Sequence, residues 1–486
     1  MLELQRGTAP AERASLADLA PPGEREVVEA LVAPLEHFCR DHIDPRGNDH
    51  HKCIPPGVLD GLREMGLFGL SLPESHGGAG LSLWATGSIA AIVARRDRSV
   101  ATTLGLHLGL GTRGLVTFGT PAQKDRYLPR LATGEILAAF ATTEPAAGSD
   151  LSALRCTLSE VEGALSVRGQ KCFVTNGALA SLYTVSTRSP GLGGARKGQT
   201  LVLLERGDPG LCVGAEEEKL GLRASSTTML DCDDVPVAPD RILGPMGQGA
   251  NVLQHVLAYG RTVMAFGCTG TARAALDAAR THCAIRVQFG RTLDQLAVVR
   301  EQLADMAAKL FAIEALVRWA ACDDSQLEWR SLAAKVLASD LSGEIVDTAL
   351  QLHGGYGFIE ETGIALLSRD ARITRIFEGA NDVLRVHRGL FALGQPPAGP
   401  LAARCREAIA EARAQRGVRL LGDHVTLHRL GTLAMLADAA AAAKQRADDE
   451  GTAEARALAT RWLRLSEAYV PTLPDDTTAL CLGGES

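Results

Sequence analysis

The spacing of apolar positions changes character twice along the chain. From about Arg25 to Ala139 it is helical: Val27, Leu31, Leu35 and Phe38 recur at helix spacing, and Leu59, Leu62, Met65 and Leu67 do so again. Between these runs, residues 41–53 are polar, contain Pro45 and Gly47, and read as a loop. From Phe140 to Leu243 short β-type runs take over, at 137–143, 164–168, 181–187, 200–205 and 227–232, with turn signals such as Thr175-Asn176-Gly177 between them. Gly244 to Gly249 then leads into long helical runs at 251–285, 292–321, 331–352 and 382–393, whose short connections suggest an antiparallel bundle. Gly394-Gln395-Pro396-Pro397-Ala398-Gly399-Pro400 is a linker, and the Ala/Leu/Arg-rich residues 401–473 beyond it are helical. The expected fold is α+β and mostly α. An N-terminal helical domain (1–139) precedes a central small β-barrel or sheet domain (140–245). A C-terminal four-helix bundle (246–394) follows, then a linker with a short extra helical segment (395–486).

Composition narrows the function. With 486 residues, 46% hydrophobic and 22% charged, the chain has the make-up of a soluble globular protein with room for several cores. A net charge of −7, no basic tract and only 4% aromatics argue against nucleic-acid binding. The 11 cysteines include no Cys-x-x-Cys pair, so they read as small buried hydrophobes in a reducing compartment. The first twenty residues lack the apolar core of a signal peptide, and no run approaches the roughly 20 apolar residues needed to span a bilayer. A cytoplasmic location is expected.

Three stretches invite a chemical reading. His50 and His51, with Asp49 and Cys53, suggest a metal, but adjacent histidines in a Pro/Gly loop are more often simply solvated. Gly109-Leu110-Gly111-Thr112-Arg113-Gly114 spells the dinucleotide motif without the preceding strand or the βαβ unit it needs. Its glycines fit a helix face that makes room for a neighbour. The third stretch is Arg375-Ile376-Phe377-Glu378-Gly379-Ala380-Asn381-Asp382. A carboxylate between an apolar pair and a glycine loses hydration, and its pKa rises towards that of a general base. Arg372, Arg375 and Glu378 at every third position are equally the pattern of a solvated helix face.

Six motifs in order decide the matter. They are Phe140-Ala141-Thr142-Thr143-Glu144-Pro145-Ala146-Ala147-Gly148-Ser149-Asp150; Gly169 to Gly177; Leu220 to Thr227, running on to Val237; Arg286 to Gly290; Gln351 to Phe358; and the Glu378 stretch. Together, over about residues 25–394, they resemble the acyl-CoA dehydrogenase family, with Ser99 to Gly111 and Arg369 to Arg385 most similar to its very-long-chain branch. The resemblance implies an FAD enzyme that oxidises an acyl-CoA, here expected to be long-chain, to the trans-2-enoyl-CoA. Glu378 would be the base and flavin N5 the hydride acceptor, with electrons passed to an electron-transferring flavoprotein.

By the same resemblance, Phe140, Thr142, Thr143, Gly148, Ser149, Phe173 and Thr175 contact FAD, as do Ala380 and Asp382. Arg286, Phe289, Gln351 and Gly355 reach its adenosine half across a subunit interface. Ser149, Tyr259, Arg261, Gly379 and Gly105 face the substrate, Gly105 at the floor of the acyl pocket with Ala101 one turn away. In a few family members the base stands before the bundle arginine; that position here is Gly260, so none is available there. The sequence departs from the family at Ala380, where threonine is usual, at Ala258, and at the apolar pair Leu296 and Ala297. The segment after the linker looks like a shortened form of the very-long-chain extra domain and implies a homodimer over a tetramer. An acyl-CoA oxidase, a dehydrogenase acting on an acyl-carrier protein, and a non-catalytic assembly protein on the same fold are the competing expectations.

Overall fold

The computed structural model describes residues 23–194 and 198–471. Residues 1–22, 195–197 and 472–486 lie outside them. The N-terminal region consists of α1 (Arg25–His42), α2 (Pro45–His51), α3 (Pro56–Glu64), α4 (Leu83–Arg96), α5 (Arg98–Leu106), a π-helical turn (His107–Gly111), α6 (Thr112–Phe118) and α7 (Pro121–Ala132). The polar stretch at 41–53 is therefore not a loop: most of it is α2. Pro45 at the first helical position loses no hydrogen bond there, and Asn48, buried on the inner face, donates to Asp97 Oδ2 at 2.8 Å. Asp49 is held by Arg369 at 2.6 Å and Arg223 at 3.5 Å. Among the described residues no group of three or more His, Cys, Asp and Glu side chains is placed to hold a metal.

The middle of the chain forms β1 (Ala138–Ala141), β2 (Thr157–Val161), β3 (Ala164–Thr175), β4 (Leu182–Arg188), β5 (Gln199–Glu205), β6 (Leu211–Glu216), β7 (Thr227–Val237) and β8 (Ile242–Leu243). These make one mainly antiparallel sheet in the order β6-β7-β3-β2-β4-β5-β8, with β1 parallel to β4. β2, β6 and β8 carry no sequence signal. β2 and β6 are half-exposed strands with little apolar alternation, and β8 is only two residues long. The sheet encloses its own apolar core around Val167, Tyr183, Val202 and Leu230, apart from the large helical core.

The C-terminal helices are α8 (Gly249–Ile285), α9 (Ala297–Ala321), α10 (Leu327–His353), α11 (Ile364–Arg372) and α12 (Asn381–Gly394), with a small hairpin of β9 (Val287–Gln288) and β10 (Arg291–Thr292) after α8. Beyond the linker come α13 (Ala402–Arg416), α14 (His424–Glu450) and α15 (Ala453–Ala468), with α14 packed on α12 and both α14 and α15 on α9. Among the described residues no helix is long and apolar enough to cross a membrane.

Helices α5 and α6 form one rod interrupted by the π turn, which contains the first two glycines of the dinucleotide-like motif. His107 in that turn is fully buried. It accepts from the Ala138 N–H through Nδ1 at 3.2 Å and lies 3.1 Å from the Leu131 carbonyl through Nε2, so it ties the rod to the start of β1. A Cβ on Gly111 would stand 2.8 Å from Ala138 Cβ, and one on Gly109 would stand 3.5 Å from Gly260 Cα. The motif therefore serves close packing of the rod against β1 and α8, where no phosphate could enter.

Candidate active site

A cavity of about 770 Å³ lies where the rod, α8, the start of α12 and the sheet meet. Glu378 stands in its wall. The spacing that also fits a helix face does not place it on one: residues 373–375 form a single 3-10 turn, Glu378 has φ +56° and Gly379 φ +102°. A left-handed glutamate is strained, and such strain persists only where the surroundings hold it. Two cations do so here. Arg261 Nε donates to the Glu378 carbonyl at 3.0 Å. Lys335 Nζ donates to the Gly379 carbonyl and to Asn381 Oδ1, both at 2.7 Å, and Asn381 in turn donates to Ser339 Oγ and Asp340 Oδ1, both at 2.9 Å.

The carboxyl itself is left free. Glu378 Oε2 is buried with no hydrogen-bond partner. Burial pushes its pKa up from 4.5 to about 7, although Lys335, Arg261 and Arg98 all pull it down. Desolvation outweighs three cations, which leaves a base that is available near neutral pH. Gly260 lies beside it: a Cβ there would be 3.3 Å from Oε2 and would strike Leu110 Cδ2, so the glycine lets Leu110 and the carboxyl pack against α8. Burial likewise pushes Lys335 down to about 8.

The sheet contributes Phe140, Thr142, Thr143, Gly148, Ser149, Phe173 and Thr175 to the same cavity. Their loop is anchored by Lys171, fully buried, whose Nζ donates to Glu144 Oε1 at 2.6 Å and to the Thr142 carbonyl at 3.2 Å. Glu144 also accepts from the Arg155 and Cys156 N–H groups at 2.6 and 3.0 Å. Two observations show that these residues suit a large flat polar ligand. Thr142 Oγ1 and Ser225 Oγ, of two residues that line this cavity, are buried without partners. Phe173, at φ +56°, keeps its ring 65% exposed towards the cavity.

The helices contribute Gly105, Arg261, Gly379 and Ala380. Two residues expected here, Tyr259 and Asp382, stand elsewhere. Tyr259 does not line the cavity; it is buried in the helical core with the Arg113 guanidinium 4.4 Å above its ring, and it is a packing residue. The Asp382 side chain points out of the cavity towards Arg385 at 3.3 Å and His428 of α14 at 3.1 Å. Phe289, 89% exposed, projects from the β9–β10 hairpin. Arg286, Gln351 and Gly355 gather in a separate groove of about 490 Å³, with Arg286 5.8 Å over the Tyr356 ring.

Four residues of the site were not singled out from the sequence: Lys335, Lys171, Glu144 and Arg98. For Lys335 a signal existed, a lone lysine inside Leu332-Ala333-Ala334-Lys335-Val336-Leu337, where an unpartnered charge has no place. For the others, the partners are distant in sequence and the pattern carries no warning.

Comparison with known proteins agrees with this geometry. Residues 25–135, 139–235 and 247–389 match the N-terminal, middle and C-terminal domain models of acyl-CoA dehydrogenase. The chain is 35% identical over 376 residues to the mitochondrial very long-chain specific acyl-CoA dehydrogenase of Rattus norvegicus, covering 75% of this chain but only 57% of that longer protein. It is 36% identical over 372 residues to an acyl-CoA dehydrogenase of Bacillus subtilis, covering 74% of this chain and 96% of that one. Among solved structures, an acyl-CoA dehydrogenase from Bacillus anthracis in complex with FAD aligns with a TM-score of 0.81 at 26% identity, over 96% of this chain and 92% of that one. That alignment reaches into the segment beyond the linker. By sequence and fold, the chain belongs to the acyl-CoA dehydrogenase family.

Proposed function

We propose that the protein is an FAD-dependent dehydrogenase that converts an acyl-CoA to the trans-2-enoyl-CoA, with Glu378 as the base. The observation that carries this reading is the Glu378 carboxyl in the cavity wall, its Oε2 buried without a partner and its pKa raised by burial to about 7. Glu378 takes the α-proton, and its N–H supports the thioester oxygen as negative charge develops there. The β-hydrogen leaves with its electron pair, and the C2–C3 double bond forms. FAD, when bound, supplies the acceptor for that pair. Thr142, Thr143, Ser149, Thr175 and the backbone near Gly148 would hold it, with Phe173 against the ring.

The groove with Arg286, Gln351 and Gly355 suits the adenosine half of a partner subunit's FAD, in line with a homodimer. An electron-transferring flavoprotein is the proposed electron acceptor. Each of the ten described cysteines is a free thiol, in keeping with a reducing compartment such as the cytoplasm. The long-chain expectation rests on Gly105 and Ala101, which both line the cavity; a Cβ on Gly105 would also press to 3.3 Å from Val263 Cγ1, so the glycine lets α5 and α8 approach. The test is direct: the purified protein should be yellow and be bleached anaerobically by acyl-CoA. Slow reoxidation by air separates a dehydrogenase from an oxidase, and a colourless protein would mark an assembly protein.

A base works only when ionised, so kcat/KM should fall about tenfold per pH unit below about 7, to which burial raises Glu378, and level off above it. A profile flat down to pH 5 would contradict the assignment. Lys335 positions that base. Lys335→Met removes the donor to Gly379 and Asn381 and a cation that lowers the Glu378 pKa. kcat should drop by roughly 10–100-fold, the span seen when a supporting partner of a site residue is lost, and the acid limb should move to higher pH. An unmoved limb would reduce Lys335 to a structural role.

A further inference from the structure

On the α5 wall of the cavity stands a charged side chain, Arg98. Arg98, at the start of α5, is 4% exposed and lines the cavity. Its Nη2 donates to the Met264 carbonyl at 3.2 Å and lies 3.7 Å from Cys268 Sγ, while Nε is buried without a partner. Among the described residues no carboxylate pairs with it. The other buried cations nearby are satisfied: Lys171 has Glu144, Lys335 has the Gly379 carbonyl and Asn381, and Arg261 has the Glu378 carbonyl. A buried guanidinium with a vacant N–H is costly, and it persists where a ligand completes it.

The cavity has a shape that specifies the ligand. Arg98, Ala101, Thr102 and Gly105 fall on one face of α5, opposite Gly260, Val263, Met264 and Gly267 on one face of α8. The Arg98 Nη1 occupies the space that a side chain on Gly267 would need. Gly260 lies beside the Glu378 carboxyl, and Gly260 and Gly267 are seven residues apart, about 10 Å along the helix at 1.5 Å per residue. The base and the guanidinium thus stand at two ends of one narrow trough with small or apolar walls.

Resting on the dehydrogenase reading above, we propose that the substrate is an ω-carboxyacyl thioester, whose terminal carboxylate is taken by Arg98 while Glu378 works on the carbons next to the thioester. A planar guanidinium fork matches a carboxylate, and among the described residues only Nη2 of Arg98 is engaged, by the Met264 carbonyl and Cys268 Sγ. A methyl-ended chain would instead bury the charge further and leave it without a counter-ion. Sites built to bond a polar substrate group discriminate strongly against analogues that lack it.

The experiment uses the FAD-loaded protein and matched pairs of acyl-CoAs of about six to twelve carbons, a span set by the ~10 Å between the two ends. Each pair differs only in ending in a methyl or a carboxylate. The carboxylate-ended member should give kcat/KM at least ~10-fold higher at its best length, and Arg98→Met should reverse the preference by gaining on the methyl-ended one. Titration of Glu378→Gln holoenzyme with the same pairs should rank the dissociation constants in the same order. Equal or better use of the methyl-ended chain by the natural protein, at every length, would overturn the proposal. Should Arg98→Met fail to fold, Arg98→Lys keeps the charge without the fork and should reduce the preference; an unchanged preference would also count against it. Absence of turnover with every thioester, alongside tight binding of the carboxylate-ended ones, would sink the dehydrogenase reading and leave the Arg98 site standing.

Discussion

Replacing Glu378 with glutamine is expected to lower turnover by at least ~10³ while FAD and acyl-CoA still bind. Glutamine has the same shape, and the carboxyl makes no side-chain hydrogen bond through Oε2 that the exchange would break. The loop also keeps its supports, because Arg261 and Lys335 grip backbone carbonyls rather than the side chain. Burying a neutral amide is cheaper than burying a carboxylate, so the folded state should not suffer. What disappears is the group that can take a proton, and with it the acid limb near pH 7. The measurement is anaerobic bleaching of the flavin after mixing with substrate in a stopped-flow instrument. A rate near that of the natural protein would move the base to another residue. The position before the bundle arginine, where the resemblance would allow another base, is Gly260.

What could be read in advance depended on whether the cause was local. The long helices were legible because 25–37 residues of repeating apolar positions leave little ambiguity, as in α8 and α10. The strands facing the core on one side, β3 and β7, alternate and were found; β2 and β6 do not, because their outer faces and ends are solvated. The segment that became α2 failed for the opposite reason. Pro45 and Gly47 look like breakers, yet Asn48 and Asp49 are bonded from outside by Asp97 and Arg369, and tertiary contacts override weak helix propensity. Glu378 was legible through its apolar neighbours. The strain at Glu378 was not, since it is imposed by Arg261 and Lys335, respectively 117 and 43 positions away in the chain. Tyr259 was misplaced because an aromatic beside Arg261 looks like a ligand contact, whereas successive residues on a helix face different ways. Arg98 gave no warning at all, because nothing local shows which of the arginines at 95, 96 and 98 turns inward.

The segment beyond the linker should prove as necessary to the assembly as the bundle itself. Helix α12, which opens with the loop that carries the base, is covered by α14. The two approach closely enough that a Cβ on Gly389 or Gly431 would strike the backbone of the other helix. At their contact Arg388 and Asp438 are both fully buried, with Arg388 Nε and Nη2 at 3.1 and 2.9 Å from Asp438 Oδ2. Removing one partner of a buried pair leaves an uncompensated charge, so Asp438→Ala should cost about 3–5 kcal/mol of stability. Truncation after Pro400 removes Asp438 together with Leu427, Leu430, Ala434 and Trp462, and uncovers the outer faces of α9 and α12. An apolar face of that kind seeks another surface. Light scattering should show the full chain as a dimer and the truncated chain as a tetramer or as aggregate. Arg388→Leu in the truncated chain removes that stranded charge, so it should recover some soluble tetramer, although Glu314 and Asp305 on α9 also lose Arg446 and Arg461. An unchanged soluble dimer after truncation would show that α13–α15 are not what keeps that face from a partner. Loss of the dimer to a stable monomer would show that the segment builds the interface instead of covering it.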